Sequence, residues 1–183
     1  MVSVRELDGQ RLHVVDGLFD VGMVRLIFET LARQRFSLSD YDTDATRDIR
    51  HWKCEFPLDY FEANPLLKMW HLRIVAKARE LVAPATIHLE RVHCNSHLYG
   101  DLQNAHTDIS PGVTALYFAN TTWQDDWQGE TIFYDRAGEP FHAIAPKPGR
   151  LLVFAGDIVH RGGVPSRKCF EARLSVAFKF GAA

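Results

Sequence analysis

The chain has no long hydrophobic run. A membrane-spanning helix needs about 20 consecutive apolar residues, and the longest candidate, Leu151 to Ala155, is far shorter. The first ten residues carry Arg5, Glu6 and Asp8 and lack the apolar centre of a secretory leader. Cysteine is scarce: Cys54, Cys94 and Cys169 are odd in number, widely spaced and form no CxxC pair. That pattern suggests neither a disulfide framework nor a zinc knuckle, and Cys54 and Cys169 read as small buried hydrophobes rather than nucleophiles. A cytoplasmic location is the simplest expectation. A basic excess is also missing. With 21 basic against 23 acidic side chains the formal net charge is -2, which argues against a general nucleic-acid binder while leaving room for a small basic pocket. Internal repeats and low-complexity stretches are absent. What remains is an ordinary globular composition over 183 residues, 46% hydrophobic, enough for one domain with a real core. The expected partner is a small molecule, with no nucleic acid and no membrane; the sequence carries no mark of oligomeric state.

Two helices stand out. Apolar residues at Val21, Val24, Ile27, Phe28 and Leu31 predict a helix to Arg33, with Asp20 as N-cap. A second is predicted after Asn64, with Pro65 at the first helical position and a stripe of Leu66, Leu67, Trp70, Ile74, Ala78, Leu81 and Val82, ended by Pro84. Beyond Thr86 the chain reads as strands near 86–99, 113–119, 130–134, 141–145, 150–155 and 172–180, with shorter candidates at Leu12–Val15 and Arg35–Leu38. Asp135 to Gly138 and Pro148-Gly149 are expected turns. Short strands behind two helices predict an α+β, mainly β, fold: a double-stranded β-helix, or jelly roll, with the N-terminal helices packed on one sheet. The whole of 1–183 is read as a single domain, with a helical and lid part over about 1–85 and a metal-binding core over about 86–183. Ser37 to Pro57 is polar, long and aperiodic, which predicts a binding loop or lid. Its acidic run Ser39 to Asp44 lacks the glycine and closing glutamate of a calcium loop. Arg47, Arg50, His51 and Trp52 follow it and either meet a substrate or pack the loop.

The sharpest chemical signal is His106-Thr107-Asp108. On a strand, residues i and i+2 share a face, so an imidazole and a carboxylate project side by side. His160 offers a third ligand after the apolar strand 150–155. Two histidines and one carboxylate leave half of a metal's coordination sphere open, the facial arrangement of non-haem Fe(II) oxygenases. A bare His-x-Asp also occurs as two surface residues in a turn. Arg173 opens the last strand; it is either a solvated strand end or a guanidinium that binds a dicarboxylate through a bidentate pair. On the strand 86–99, His93, Asn95, His97 and Tyr99 share a face, which either meets water or lines a polar cavity, since buried polar groups need partners. Trp123 and Trp127 flank Asp125 and Asp126 in a loop expected at the pocket mouth.

From about Val92 to Phe180 the sequence resembles the iron(II)/2-oxoglutarate-dependent dioxygenases, especially the prolyl-4-hydroxylase-like branch. The pieces fall in that family's order: Leu98-Tyr99-Gly100, His106-Thr107-Asp108, the strand Thr114 to Asn120, Gln128-Gly129-Glu130-Thr131-Ile132-Phe133, Pro148 to Phe154, His160 and Arg173. The resemblance implies that His106, Asp108 and His160 ligate Fe(II), that Arg173 binds the distal carboxylate of 2-oxoglutarate, and that Tyr99 contacts the co-substrate. O₂ completes the cofactor set, and the resemblance admits ascorbate as an accessory reductant. One position departs: many relatives carry a tyrosine hydroxyl where this chain has Phe118, and Ser175 or Tyr99 is left to compensate. The carboxylate at Asp108 leaves no coordination site for a halide, so hydroxylation or a related oxidation is expected.

The function expected is hydroxylation of an unactivated C–H bond of a small molecule, an amino acid or natural-product intermediate, with succinate and CO₂ as co-products. Arg50, Trp52, Asn95, His97 and Trp123 are the candidate substrate residues. Rival readings are a prolyl or peptidyl hydroxylase acting on a protein, a cupin-like metalloenzyme that does not use 2-oxoglutarate, and a non-catalytic jelly-roll metal-binding module.

Overall fold

The computed structural model describes residues 1–83 and 85–182. In chain order the elements are β1 (Val2–Leu7), β2 (Gln10–Val15), α1 (Val21–Ala32), β3 (Ser37–Asp40), β4 (His51–Phe56), α2 (Pro65–Val82), β5 (Ile87–His97), β6 (Gly112–Phe118), β7 (Thr131–Tyr134), β8 (Pro140–Ile144), β9 (Leu151–Ala155), β10 (His160–Gly162) and β11 (Arg173–Ala182), with short 3-10 turns at Asp44–Thr46, Leu58–Ala63 and Asp125–Trp127. Among the described residues the strands form an eight-stranded sheet, β1-β2-β9-β6-β11-β5-β4-β3, and a three-stranded sheet, β10-β7-β8. All pairings are antiparallel. This is the expected jelly-roll architecture.

Both helices start as their sequences predict. The Asp20 carboxylate accepts the Met23 N–H at 2.8 Å, and the Asn64 side chain accepts the N–H groups of Leu66 and Leu67 ahead of Pro65. These contacts satisfy donors that a helix N-terminus otherwise leaves unpaired. Pro84, the expected stop of α2, lies outside the described residues.

Strand alternation determines the layers. On β11, Leu174, Val176, Phe178 and Phe180 join Trp70 and Ile74 of α2, Val24 and Ile27 of α1, and Val92, Cys94, Ala115, Tyr117, Leu151 and Val153 of the neighbouring strands. The opposite faces contribute Leu116, Phe118, Leu152, Phe154 and Ala177, which meet Phe133, Ile144 and Ile158 below the small sheet. Strands covered on both sides read as nearly continuous apolar runs, and these were the easiest to see in the sequence. Trp70 is fully buried and meets Tyr117 and Phe178 edge-on at 5.4 and 5.3 Å.

The segment Ser37 to Pro57 is not a free lid. β3 and β4 pair as a hairpin, and β4 adds to the edge of the large sheet against β5, with Cys54 opposite Cys94. Its alternation is hidden because one face carries His51, Lys53 and Glu55 while the other carries the exposed Trp52 beside the buried Cys54 and Phe56. Only 41–50 and Pro57 lie outside these strands. β1, an exposed edge bearing Arg5 and Glu6, and β10, three residues long, also carry too little periodicity to read.

Trp70→Ala is expected to lower unfolding free energy by about 3–5 kcal/mol, the range for truncating a fully buried aromatic side chain. The same change at the exposed Val21 should stay within about 0.5 kcal/mol. Urea denaturation followed by far-ultraviolet circular dichroism measures both.

Candidate metal centre

His106, Asp108 and His160 come together between the two sheets, with one ligand atom from each lying within 4.8 Å of the others. Two backbone hydrogen bonds hold the histidines side by side: the His106 N–H donates to the His160 carbonyl and the His160 N–H to the His106 carbonyl, both at 2.9 Å. The Asp108 N–H donates to the Gly156 carbonyl at 2.7 Å. The rings of Phe133 and Phe154 pack on His160. His106 Nδ1 lies 3.0 Å from the Asn104 carbonyl, and His160 Nδ1 lies 2.9 Å from the Ile158 carbonyl. A carbonyl only accepts, so both rings keep the proton on Nδ1 and turn a bare Nε2 toward Asp108. Two imidazole nitrogens and one carboxylate fit a divalent metal such as Fe(II).

Asp108 is held by its neighbours on β6 and β11. Thr114 Oγ1 donates to Asp108 Oδ2 at 2.6 Å, and the Lys179 ammonium contacts the same oxygen. Burial pushes the Asp108 carboxyl up, but Lys179, His160 and the Thr114 hydroxyl outweigh it and hold Asp108 below the usual carboxylate range. Burial pulls Lys179 down against the attraction of Asp108. Burial likewise takes His160 to about 4, against the same carboxylate.

Arg173 lies on the same face of β11. Its guanidinium donates through Nε to the Gly129 carbonyl at 2.7 Å, through Nη2 to Thr131 Oγ1 at 3.0 Å and through Nη1 to Ser175 Oγ at 3.2 Å. The cation also sits 5.1 Å from the centre of the Phe118 ring. Burial brings Arg173 down to about 10, with Glu130 opposing, so it stays charged at neutral pH. Among the described residues no carboxylate forms an ion pair with it. Buried charges are ordinarily paired, and this one, with two hydroxyls beside it, fits the carboxylate of an anionic co-substrate. Phe118 thus packs its face on the arginine, and Thr131 and Ser175 supply hydroxyls.

A cavity of about 380 Å³ joins these groups, and its wall includes His106, Asp108, His160, Thr131, Arg173, Ser175 and Asn95. The remaining expected residues lie elsewhere. Tyr99 follows the end of β5, is 64% exposed and is not in the wall, because the chain turns away at Leu98-Tyr99-Gly100 before the alternation can carry it inward. Arg50 is exposed on the loop before β4, and Trp52, next to the cavity-facing His51, takes the opposite face of its strand. His97 is buried beside His51, with ring centres 5.6 Å apart, and stays behind the wall. Trp123 donates its indole N–H to the Gln128 carbonyl and lines a separate shallow pocket. Lys179, Asp42, Thr114 and Thr131, to which the sequence alone assigns no site role, all line the cavity, as does His93 on the polar face of β5. Arg173, Ser175, Ala177 and Lys179 share the i, i+2 register of β11, which brings all four to the cavity.

Residues 92–180 match the profile of the 2OG-Fe(II) oxygenase superfamily. The chain carries a 2OG-Fe(II) oxygenase domain. The matched span, just under half of the chain, is that of a 2-oxoglutarate-dependent dioxygenase, and that family's cofactors are Fe(II), 2-oxoglutarate and O₂. No curated protein matches it in sequence. Similar solved structures include a prolyl-4-hydroxylase from Pseudomonas putida, with 16% identity, TM-score 0.67, and 94% of this chain and 92% of that one covered. The 2-oxoglutarate-dependent epimerase SnoN of nogalamycin biosynthesis has 16% identity and TM-score 0.65, covering 93% of this chain and 78% of that one. HygX from Streptomyces hygroscopicus, with nickel and 2-oxoglutarate bound, has 17% identity and TM-score 0.62, covering 93% and 82%. At these identities the likeness speaks for the fold. No helix is long and apolar enough to cross a membrane among the described residues.

The buried ionisable groups set how the metal-free protein responds to acid. Burial holds His93, His97 and His160 below their ordinary value of 6.5. As pH falls through that value the unfolded chain takes protons that the folded chain refuses, so stability drops. Asp40 and Asp108 lie below their ordinary 3.8, so what they contribute is present above that value and lost beneath it. Thermal midpoints of metal-free protein should therefore fall from about pH 7 to about pH 5 and fall again below about pH 4. A midpoint that is flat above pH 5 would contradict the neutral burial of the histidines.

Proposed function

We propose that this dioxygenase hydroxylates an unactivated C–H bond of a small, polar, charged molecule, of the size of an amino acid or a tailored natural-product intermediate. The observation that supports it is a cavity whose wall holds both a His-Asp-His cluster and a buried arginine with no carboxylate partner among the described residues. In this reading His106, Asp108 and His160 hold Fe(II), and Arg173 with Thr131 and Ser175 holds the far carboxylate of 2-oxoglutarate. Bound together, iron and 2-oxoglutarate supply the oxidising chemistry, with O₂ consumed and succinate and CO₂ released. The chain itself does the rest. The Asn104 and Ile158 carbonyls orient the two rings, Thr114 and Lys179 hold Oδ2 of Asp108, and the two sheets exclude bulk water.

The lining favours a polar substrate. Asp40, Asp42, Glu90, Arg91, His51, His93 and Lys179 all contribute charge or hydrogen-bonding groups to the wall, beside apolar surface from Tyr41, Ile109, Leu116 and Ala177. His93 Nδ1 and Asn95 Oδ1 are buried with no hydrogen-bond partner among the described residues. Leaving such groups unsatisfied costs about 1–3 kcal/mol each, and a bound polar molecule relieves that. The volume of about 380 Å³ is near the small end for ligand pockets and is shared with the co-substrate. A second reading, prolyl or peptidyl hydroxylation, draws support from solved neighbours that are prolyl hydroxylases. A prolyl ring would meet Tyr41, Ile109, Leu116 and Ala177 in a wall that also carries charged side chains of both signs.

A succinate-release screen over amino acids, short proline peptides and polar metabolites, with products resolved by mass, tests the reading. A gain of one oxygen atom in a small polar compound is expected; turnover confined to the peptides would favour the second reading. His106→Ala and His160→Ala should each lose 1:1 Fe(II) binding and succinate formation while remaining folded. Retention of wild-type metal affinity in either variant would remove that ligand from the site. Arg173→Ala should weaken 2-oxoglutarate binding by roughly 2–5 kcal/mol, and Arg173→Lys should recover only part, because lysine lacks the planar fork.

A further inference from the structure

The loop between β3 and β4 places one carboxylate behind a metal ligand. The Asp42 side chain is 1% exposed. Its Oδ2 accepts the Asn104 backbone N–H at 2.5 Å and the Asn104 side-chain amide at 3.4 Å. Its other oxygen, Oδ1, lies 3.3 Å from His106 Nδ1 and 3.9 Å from His51 Nε2. A carboxylate this deeply enclosed is costly unless both oxygens are engaged. Asn104 engages one, and the imidazoles of His106 and His51 face the other. The same residue, Asn104, also presents its carbonyl to His106 Nδ1 at 3.0 Å. The two metal-facing histidines therefore differ: His160 Nδ1 has the neutral Ile158 carbonyl alone, whereas His106 Nδ1 has a carbonyl and a carboxylate together.

We propose that Asp42 is a positioning residue for the metal centre, sharing the Nδ1 proton of His106 with the Asn104 carbonyl and so fixing the ring with Nε2 toward Asp108 and His160. A carboxylate behind the ring also raises the basicity of Nε2, and outer partners of this kind typically contribute about 10–100-fold in metal affinity. Asp42 stands outside residues 92–180, the span of the family match. On this proposal the hairpin β3–β4, which extends the sheet edge, also completes the metal site from the N-terminal half of the chain. The proposal rests on the reading of His106 as a ligand, and the experiment separates the two.

Metal-free wild type, Asp42→Asn, Asp42→Glu and His106→Ala are titrated anaerobically with Fe(II) by calorimetry, and each is melted without metal. Asparagine still accepts from Asn104 but turns a donor toward His106. Asp42→Asn is expected to weaken Fe(II) binding about 10–100-fold while its metal-free melting point stays within about 2 °C, less than a loss of about 1 kcal/mol produces in a chain of this length. Asp42→Glu, which keeps a carboxylate, is expected to retain more affinity than Asp42→Asn. Equal Fe(II) affinity in wild type and Asp42→Asn would overturn the role of Asp42 and leave the ligand set standing. Parallel loss of folding and affinity in both Asp42 variants would overturn it too, by making Asp42 a purely structural residue. Wild-type affinity in His106→Ala would instead overturn the ligand reading itself.

Discussion

The reciprocal backbone hydrogen bonds between His106 and His160 make a site out of two remote stretches of chain. His106 lies in the connection between two strands of the large sheet, and His160 begins β10 of the small one. The bridge is therefore also a clasp between the sheets. It sets how closely the two imidazoles approach, with ring centres 4.7 Å apart, and the cavity width follows from it. Phe133 and Phe154 then leave His160 little freedom to rotate. Backbone pairing is well suited to this task, because it locates the side chains without using any atom that the metal or its co-substrate requires.

Within that frame the electrostatics divide along β11. Arg173 and Lys179 sit on one face, six residues apart, roughly 20 Å along an extended strand. Both are buried cations, but they are in different states. Lys179 is matched to Asp108, whereas Arg173 has hydroxyls, a carbonyl and an aromatic face and, among the described residues, no carboxylate in an ion pair with it. One end of the strand is electrically complete and the other is short of a negative charge. A dicarboxylate is the kind of molecule that supplies it, and desolvation around Arg173 makes the attraction stronger than it would be at the surface.

The helices, the doubly covered strands and the His-x-Asp motif were legible because each rests on a short-range pattern: a cap, a period or a pair spaced to share a face. The remaining placements depend on contacts that no local pattern announces. β5 ends at His97, so its alternation does not reach Tyr99. Arg50 precedes, and Trp52 lies in, a strand whose pairing depends on β5, a partner distant in sequence. Asp42 lies in the acidic run Ser39 to Asp44, and only the fold brings it to Asn104 and His106. The Thr131 hydroxyl acquires meaning only when Arg173 arrives beside it.

One irregularity in the ladder has its own consequence. The register between β11 and β5 shifts after Lys179, which faces Arg91, so that Phe180 faces Leu89 and Glu90 has no opposite number. An extra residue of this kind bends the strand and interrupts strict alternation. It accounts for two successive residues, Glu90 and Arg91, both reaching the cavity. It also lets one strand serve two surfaces: before the bulge Ile87 and Leu89 turn into the core that the helices cover, and after it Arg91, His93 and Asn95 turn into the cavity.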